Sequence, residues 1–116
     1  MNVELIHRLC DLYNIRTYTI NDDLTIDVFG LVDLGGLDLQ KLPLVFNRVE
    51  GNFICSYNNL TNLVGSPRYI SGDFICAENI LSTLVGGPDY IGGYFDFSYN
   101  HISSLKGCPL YIGELS

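Results

Sequence analysis

The chain has 116 residues, 47% of them hydrophobic, which is enough for one folded domain and too apolar for a disordered chain. Thirteen acids against six bases leave a net charge of −7, which argues against nucleic acid or an anionic membrane as partner, because both call for a basic face. No run reaches the ~18–20 apolar residues that span a bilayer. The opening Met-Asn-Val-Glu-Leu-Ile-His-Arg has an acid where a signal peptide needs bases, so a cytoplasmic location is expected.

Residues 2 to 14 read as a helix, with Val3, Leu5, Ile6, Leu9, Cys10, Leu12 and Tyr13 forming an apolar stripe at helical spacing. Arg16 to Ile20 is a short β-type run. Leu24-Thr-Ile26-Asp-Val28 alternates as a strand does, and Asn21-Asp22-Asp23 between them is turn chemistry. Residues 1–27 are therefore predicted to be a helix-and-hairpin cap on the rest of the chain.

From residue 28 to 116 the chain repeats every 21 residues: Gly51, Gly72 and Gly93; Phe53, Phe74 and Phe95; Asn58, Asn79 and Asn100; Leu63, Leu84 and Leu105; Pro67, Pro88 and Pro109. A period of this size marks a solenoid in which each repeat is one coil stacked on the last. Coils fall at 28–48, 49–69, 70–90 and 91–111, with a stub at 112–116. The first coil is degenerate, with Leu37 in place of the Asn and Phe46 in place of the Pro. Each coil is predicted to hold one short strand (Phe53 to Cys55, Phe74 to Cys76, Phe95 to Phe97), then a turn at the Asn. A Leu-x-x-Leu-x-Gly-x-Pro return arm of extended or 3₁₀ turns completes the circuit. The Asn column reads as scaffold, satisfying backbone groups left unpaired at the bend, with stacked Asn side chains also bonding one another. The glycines and prolines are backbone devices, since no strand, Gly-rich loop and helix accompany them to make a phosphate site.

Phe53-Ile-Cys55-Ser-Tyr-Asn58-Asn-Leu60 and its two successors resemble the leucine-rich-repeat signature L-x-L-x-x-N-x-L. The short period and return arm are similar to the compact bacterial and bacteriophage variety. Tyr18 to Val28 followed by Val32-Asp-Leu34 resembles the N-terminal part of phage-encoded repeat proteins. The first apolar position stands one residue early, at Val49, Ile70 and Ile91, which predicts a bulge near Gly51, Gly72 and Gly93. The resemblance implies a right-handed leucine-rich-repeat β-solenoid that is not an enzyme and binds a protein through its strand surface. Its phage branch implies a host protein as partner, such as a defence protein inhibited or sequestered in the bacterial cytoplasm.

On the strand surface the alternating pattern points Asn52, Ile54, Ser56 and Tyr57 outward, then Asp73, Ile75, Ala77 and Glu78, then Tyr94, Asp96, Ser98 and Tyr99. Ile54 and Ile75 are expected to stack in the open beside Tyr57, Tyr94 and Tyr99, with Asp33, Asp73, Glu78 and Asp96 as an acidic rim. Exposed aliphatics beside tyrosine mark an interaction site, which makes Asn52, Ile54, Tyr57, Asp73, Ile75, Glu78, Tyr94, Asp96 and Tyr99 the candidate protein-binding residues. Coverage by the cap or by a second copy, or β propensity alone, are the alternatives.

At Leu110 to Ser116 a fifth strand begins. Either this stub folds back as a small cap, or two copies meet there through Tyr111, Ile112 and Leu115 as a homodimer. A self-associating structural subunit and a small-molecule sponge are the other functional readings. His7 and His101 have no acid or nucleophile tied to them, and Asp22, Asp23 and Asp27 lack the spacing of a calcium loop, so no catalytic site, metal or cofactor is expected. Cys10, Cys55, Cys76 and Cys108 show no Cys-x-x-Cys spacing for zinc. Cys55 and Cys76 share a column with Leu34 and Phe97, which predicts buried reduced thiols, while a bridge between adjacent coils stays open on distance.

Overall fold

Asn2 sets the start of the only helix among the described residues: its backbone is extended and its side-chain oxygen accepts the Leu5 N–H at 2.9 Å. The computed structural model describes residues 1–115 and places this helix, α1, at Val3–Leu12. Ile6 and Cys10 on its inner face are buried together with Ile15, and Leu9 and Tyr13 pack beside them, but Val3, Leu5 and Leu12 of the predicted stripe are exposed, so the core-facing stripe is narrower than expected.

After the helix come nine strands among the described residues: β1 Tyr18–Ile20, β2 Ile26–Val28, β3 Val32–Asp33, β4 Phe46–Val49, β5 Phe53–Ile54, β6 Tyr69–Ile70, β7 Phe74–Ile75, β8 Tyr90–Asp96 and β9 Tyr111–Leu115. β1 and β2 form the expected antiparallel hairpin, with Tyr18 opposite Val28. Its turn is held by Asp23 Oδ1, which accepts from the Thr25 N–H at 3.1 Å and the Thr25 hydroxyl at 2.6 Å.

The remaining strands are parallel rungs of a β-solenoid of about four turns. Each coil carries two short strands rather than the one expected. One ladder joins Val28, Val49, Ile70, Ile91 and Ile112; the other joins Val32, Phe53, Phe74 and Phe95. The early apolar position is therefore the inward residue of a separate strand. The predicted bulge is a corner between the two ladders. At that corner Gly51 has φ +150°, and a Cβ there would lie 2.8 Å from the carbonyl group of Gly30 in the coil before. In the fourth coil both strands run together as β8.

The interior is a set of columns. Phe53, Phe74 and Phe95 are fully buried, with ring centroids 5.7 and 5.4 Å apart. Leu34, Cys55 and Cys76 form a second buried column, and Leu42, Leu63 and Leu84 a third; at the fourth coil Phe97 is only half-buried and Leu105 is exposed. Phe46, the first coil's departure from proline, is buried against Phe53 with ring centroids 4.9 Å apart. The return arms are tight turns, not helix: the Ser66 N–H donates to Leu63 O at 3.0 Å across Gly65, whose φ is +96°. Among the described residues no helix is long and apolar enough to cross a membrane.

Candidate docking face

The asparagine column makes the corner at the end of the second ladder. Asn58 Nδ2 donates to Leu34 O at 2.8 Å and Cys55 O at 3.0 Å, while its Oδ1 accepts the N–H groups of Leu37 and Leu39 at 3.0 and 2.9 Å. Asn79 repeats this on Cys55 O, Cys76 O and the Leu60 N–H, and Asn100 on Cys76 O, Phe97 O and the Leu81 N–H. The scaffold role is as expected, but the amides reach the preceding coil's backbone instead of one another. Each one staples two coils and saturates a bend that would otherwise bury unpaired groups.

The residue before each Asn adopts the left-handed conformation. Gly36, Tyr57, Glu78 and Tyr99 occupy this column with φ of +69°, +56°, +58° and +54°. Only the first is glycine; for the others the conformation costs about 1 kcal/mol each. Tyr57 and Tyr99 are 67% and 77% exposed, so burial of their rings does not offset that cost.

Beside them runs the column Asp33, Ile54, Ile75 and Asp96, whose backbones pair coil to coil. Ile54 and Ile75 are half-buried, not fully open as expected, because each is flanked by the next coil's side chain ~4.8 Å away. Ser56 and Ala77, expected to point outward, are 7% and 8% exposed, since the chain is already turning into the Asn corner. Asn52 and Asp73 have structural partners: Asn52 Oδ1 accepts the Asp73 N–H, and Asp73 Oδ1 the Tyr94 N–H, both at 2.8 Å. Tyr94 is half-buried, as are Glu78 and Asp96. The four segments 31–36, 52–57, 73–78 and 94–99 carry Asp33, Asp73, Glu78 and Asp96 and no Lys or Arg.

The first ladder presents a different outer column. Arg48 lies 4.1 Å over the Tyr69 ring, Tyr69 stacks on Tyr90 at 4.7 Å and 5°, and Tyr90 on Tyr111 at 4.8 Å and 11°. Arg48 also pairs with Glu50 at 2.5 Å. Of this column only Tyr111 stands out in the sequence, as part of the C-terminal end, although Tyr69 and Tyr90 share its step. Tyr111 and Leu115 are 52% and 61% exposed on β9, which pairs in parallel with β8, and Ile112 is half-buried.

Chemistry is sparse elsewhere. Cys55 and Cys76 are free buried thiols, so the bridge left open by their spacing is not formed. Burial pushes the Cys55 thiol up to about 12 and that of Cys76 well above the ordinary range, which makes both poor nucleophiles. His7 Nδ1 meets the Tyr18 hydroxyl at 2.5 Å, and Asp27 accepts from Asn21 and Asn47, a link between the hairpin and the start of the solenoid. Among the described residues no group of three or more His, Cys, Asp or Glu side chains is placed to hold a metal. An open trough crosses the return arms, lined by Asp38, Gln40, Lys41, Asn59, Thr61 and Asn62, where Asn59 already donates to Asp38.

Comparison of the chain with protein families, with curated proteins and with solved structures finds no match.

Proposed function

We propose that this chain is a non-catalytic protein-binding module that docks its partner on the strand face around Ile54 and Ile75. The observation that carries this is the composition of that face. An aliphatic pair is bracketed by acids with no base among them, beside two exposed tyrosines kept in a costly backbone conformation. The resemblance to leucine-rich repeats supports the same reading, and its phage branch extends it to a host protein, such as a defence protein, held or inhibited by docking. The test is affinity capture from bacterial lysate with the wild-type chain and the Ile54→Lys/Ile75→Lys variant. Lysine can lay its stem along the half-buried site and keep its charge in water, so the fold is expected to survive by circular dichroism. Capture is expected to be lost, and unchanged capture refutes the face.

A second reading, self-association, is favoured by the outer edge of β9. It has no strand partner among the described residues, and Leu110, Tyr111 and Leu115 beside it are 91%, 52% and 61% exposed. Light scattering over a concentration series decides it: a mass that stays at one chain removes the dimer.

A further inference from the structure

We infer that the strand face receives an extended peptide segment of the pattern basic–x–aliphatic–x–basic, laid along the stacking axis of the coils. The inference rests on the reading of this face as a docking surface and adds the chemistry and spacing of what docks. Asp33, Ile54, Ile75 and Asp96 occupy one register position in four consecutive coils. Three steps of ~4.8 Å put about 14 Å between the two terminal carboxylates, with the isoleucines between. An extended peptide rises ~3.4 Å per residue and shows every second side chain to one face, so residues i and i+4 also stand about 14 Å apart. Residue i+2 then falls midway, over the junction of Ile54 and Ile75. The solenoid's step and the strand's step thus coincide at this one spacing.

The carboxylates are set for such contacts. Asp33 Oδ1 accepts the Gly35 N–H at 3.0 Å, and Asp96 Oδ1 accepts the Ser98 N–H and hydroxyl at 2.9 and 2.6 Å. Those bonds hold each group in place and use one of its two oxygens, which leaves acceptor capacity for a guanidinium or ammonium. Tyr57, Glu78 and Tyr99 border the same column at the same step. Glu78 adds a third acid level with Ile75, and the exposed tyrosine rings offer faces on which an arginine can lie. No Lys or Arg within the four segments competes for these acids.

Two synthetic peptides of identical composition test the inference: acetyl-Gly-Arg-Thr-Ile-Thr-Arg-Gly-amide, with arginines four apart, and acetyl-Gly-Arg-Thr-Ile-Arg-Thr-Gly-amide, with arginines three apart. Each is titrated into the ¹⁵N-labelled protein at low salt. The four-apart peptide is expected to move the amides of Ile54 and Ile75 and to bind roughly fivefold tighter than its isomer. Asp33→Asn or Asp96→Asn, which keep the internal hydrogen bonds, are each expected to remove most of that advantage, and added salt to weaken both peptides. Equal affinity for the two peptides overturns the inference, because it reduces the contact to unspecific charge attraction. If neither peptide binds while Ile54→Lys/Ile75→Lys still abolishes partner capture, the segment falls and the docking face stands. If neither binds and the variant also keeps capture, both fall.

Discussion

Arg48, Tyr69, Tyr90 and Tyr111 form one outward column of the solenoid, and Asp33, Ile54, Ile75 and Asp96 form another. Both are built on the same coil step. In the first, the guanidinium caps one end of the ring stack and pairs with Glu50, so the cation, its carboxylate and the rings of Tyr69 and Tyr90 find partners within the chain. In the second, acids stand beside aliphatics with no Lys or Arg in the same segments. The aromatic column is the more conspicuous, yet from Arg48 to Tyr90 it satisfies its own chemistry and acts as a brace, with the end ring Tyr111 half exposed. The acid–isoleucine column uses one carboxylate oxygen each of Asp33 and Asp96 internally, and the proposed function rests on that difference.

Asn79→Ala attacks the base shared by the coils. The substitution leaves the buried Leu60 N–H without its acceptor and removes one of two side-chain donors from Cys55 O and Cys76 O, which keep Asn58 and Asn100, and it is expected to cost about 3 kcal/mol in urea unfolding, loosening the corner below the proposed docking column. Tyr90→Ala separates the columns more selectively. It removes two stacked contacts and is expected to cost about 2 kcal/mol while partner capture is unchanged. Ile54→Lys/Ile75→Lys is expected to do the reverse, and a Tyr90→Ala chain that loses capture with its fold intact would erase the distinction.

The interior beneath both columns responds to alkali. An unfolded-state thiol ionises near 9.0, whereas burial raises Cys55 to about 12. Its contribution is therefore complete below pH 9 and declines as the pH rises toward 12, because only the unfolded chain releases the proton there. Urea midpoints at about pH 8 and about pH 10.5 are expected to differ, and Cys55→Ala to flatten part of that slope. The smallest effect is expected from Tyr57→Gly: a gain of about 0.5 kcal/mol as left-handed strain is relieved against added chain entropy, with capture weakened. A loss of stability would mean that the ring braces the coil and belongs with the aromatic column.

Much of the scaffold is legible in the sequence because every coil repeats the same demand. Asn58, Asn79 and Asn100 recur since each bend must saturate the same carbonyls, and the Phe53 column recurs since each coil fills the same interior width. The second strand of each coil is not legible, because a glycine corner and a bulge look alike until the partner coil's backbone is present beside Gly51. The left-handed turn is hidden for a similar reason. Gly36 points to it, but Tyr57, Glu78 and Tyr99 are residue types that rarely accept it.

Residue order alone sets the 21-residue period, the helix and hairpin before it, and the inward Phe, Cys and Leu columns, though not the burial of Ser56 and Ala77, because periodicity and apolar character can be read without neighbours in space. Stacking of the coils sets how far Ile54 and Ile75 are covered, that Cys55 and Cys76 stay apart, and that Arg48 closes a stack of tyrosines. Those are contacts between residues a full coil apart. Exposure and pairing depend on distances that exist only once one coil lies against the next.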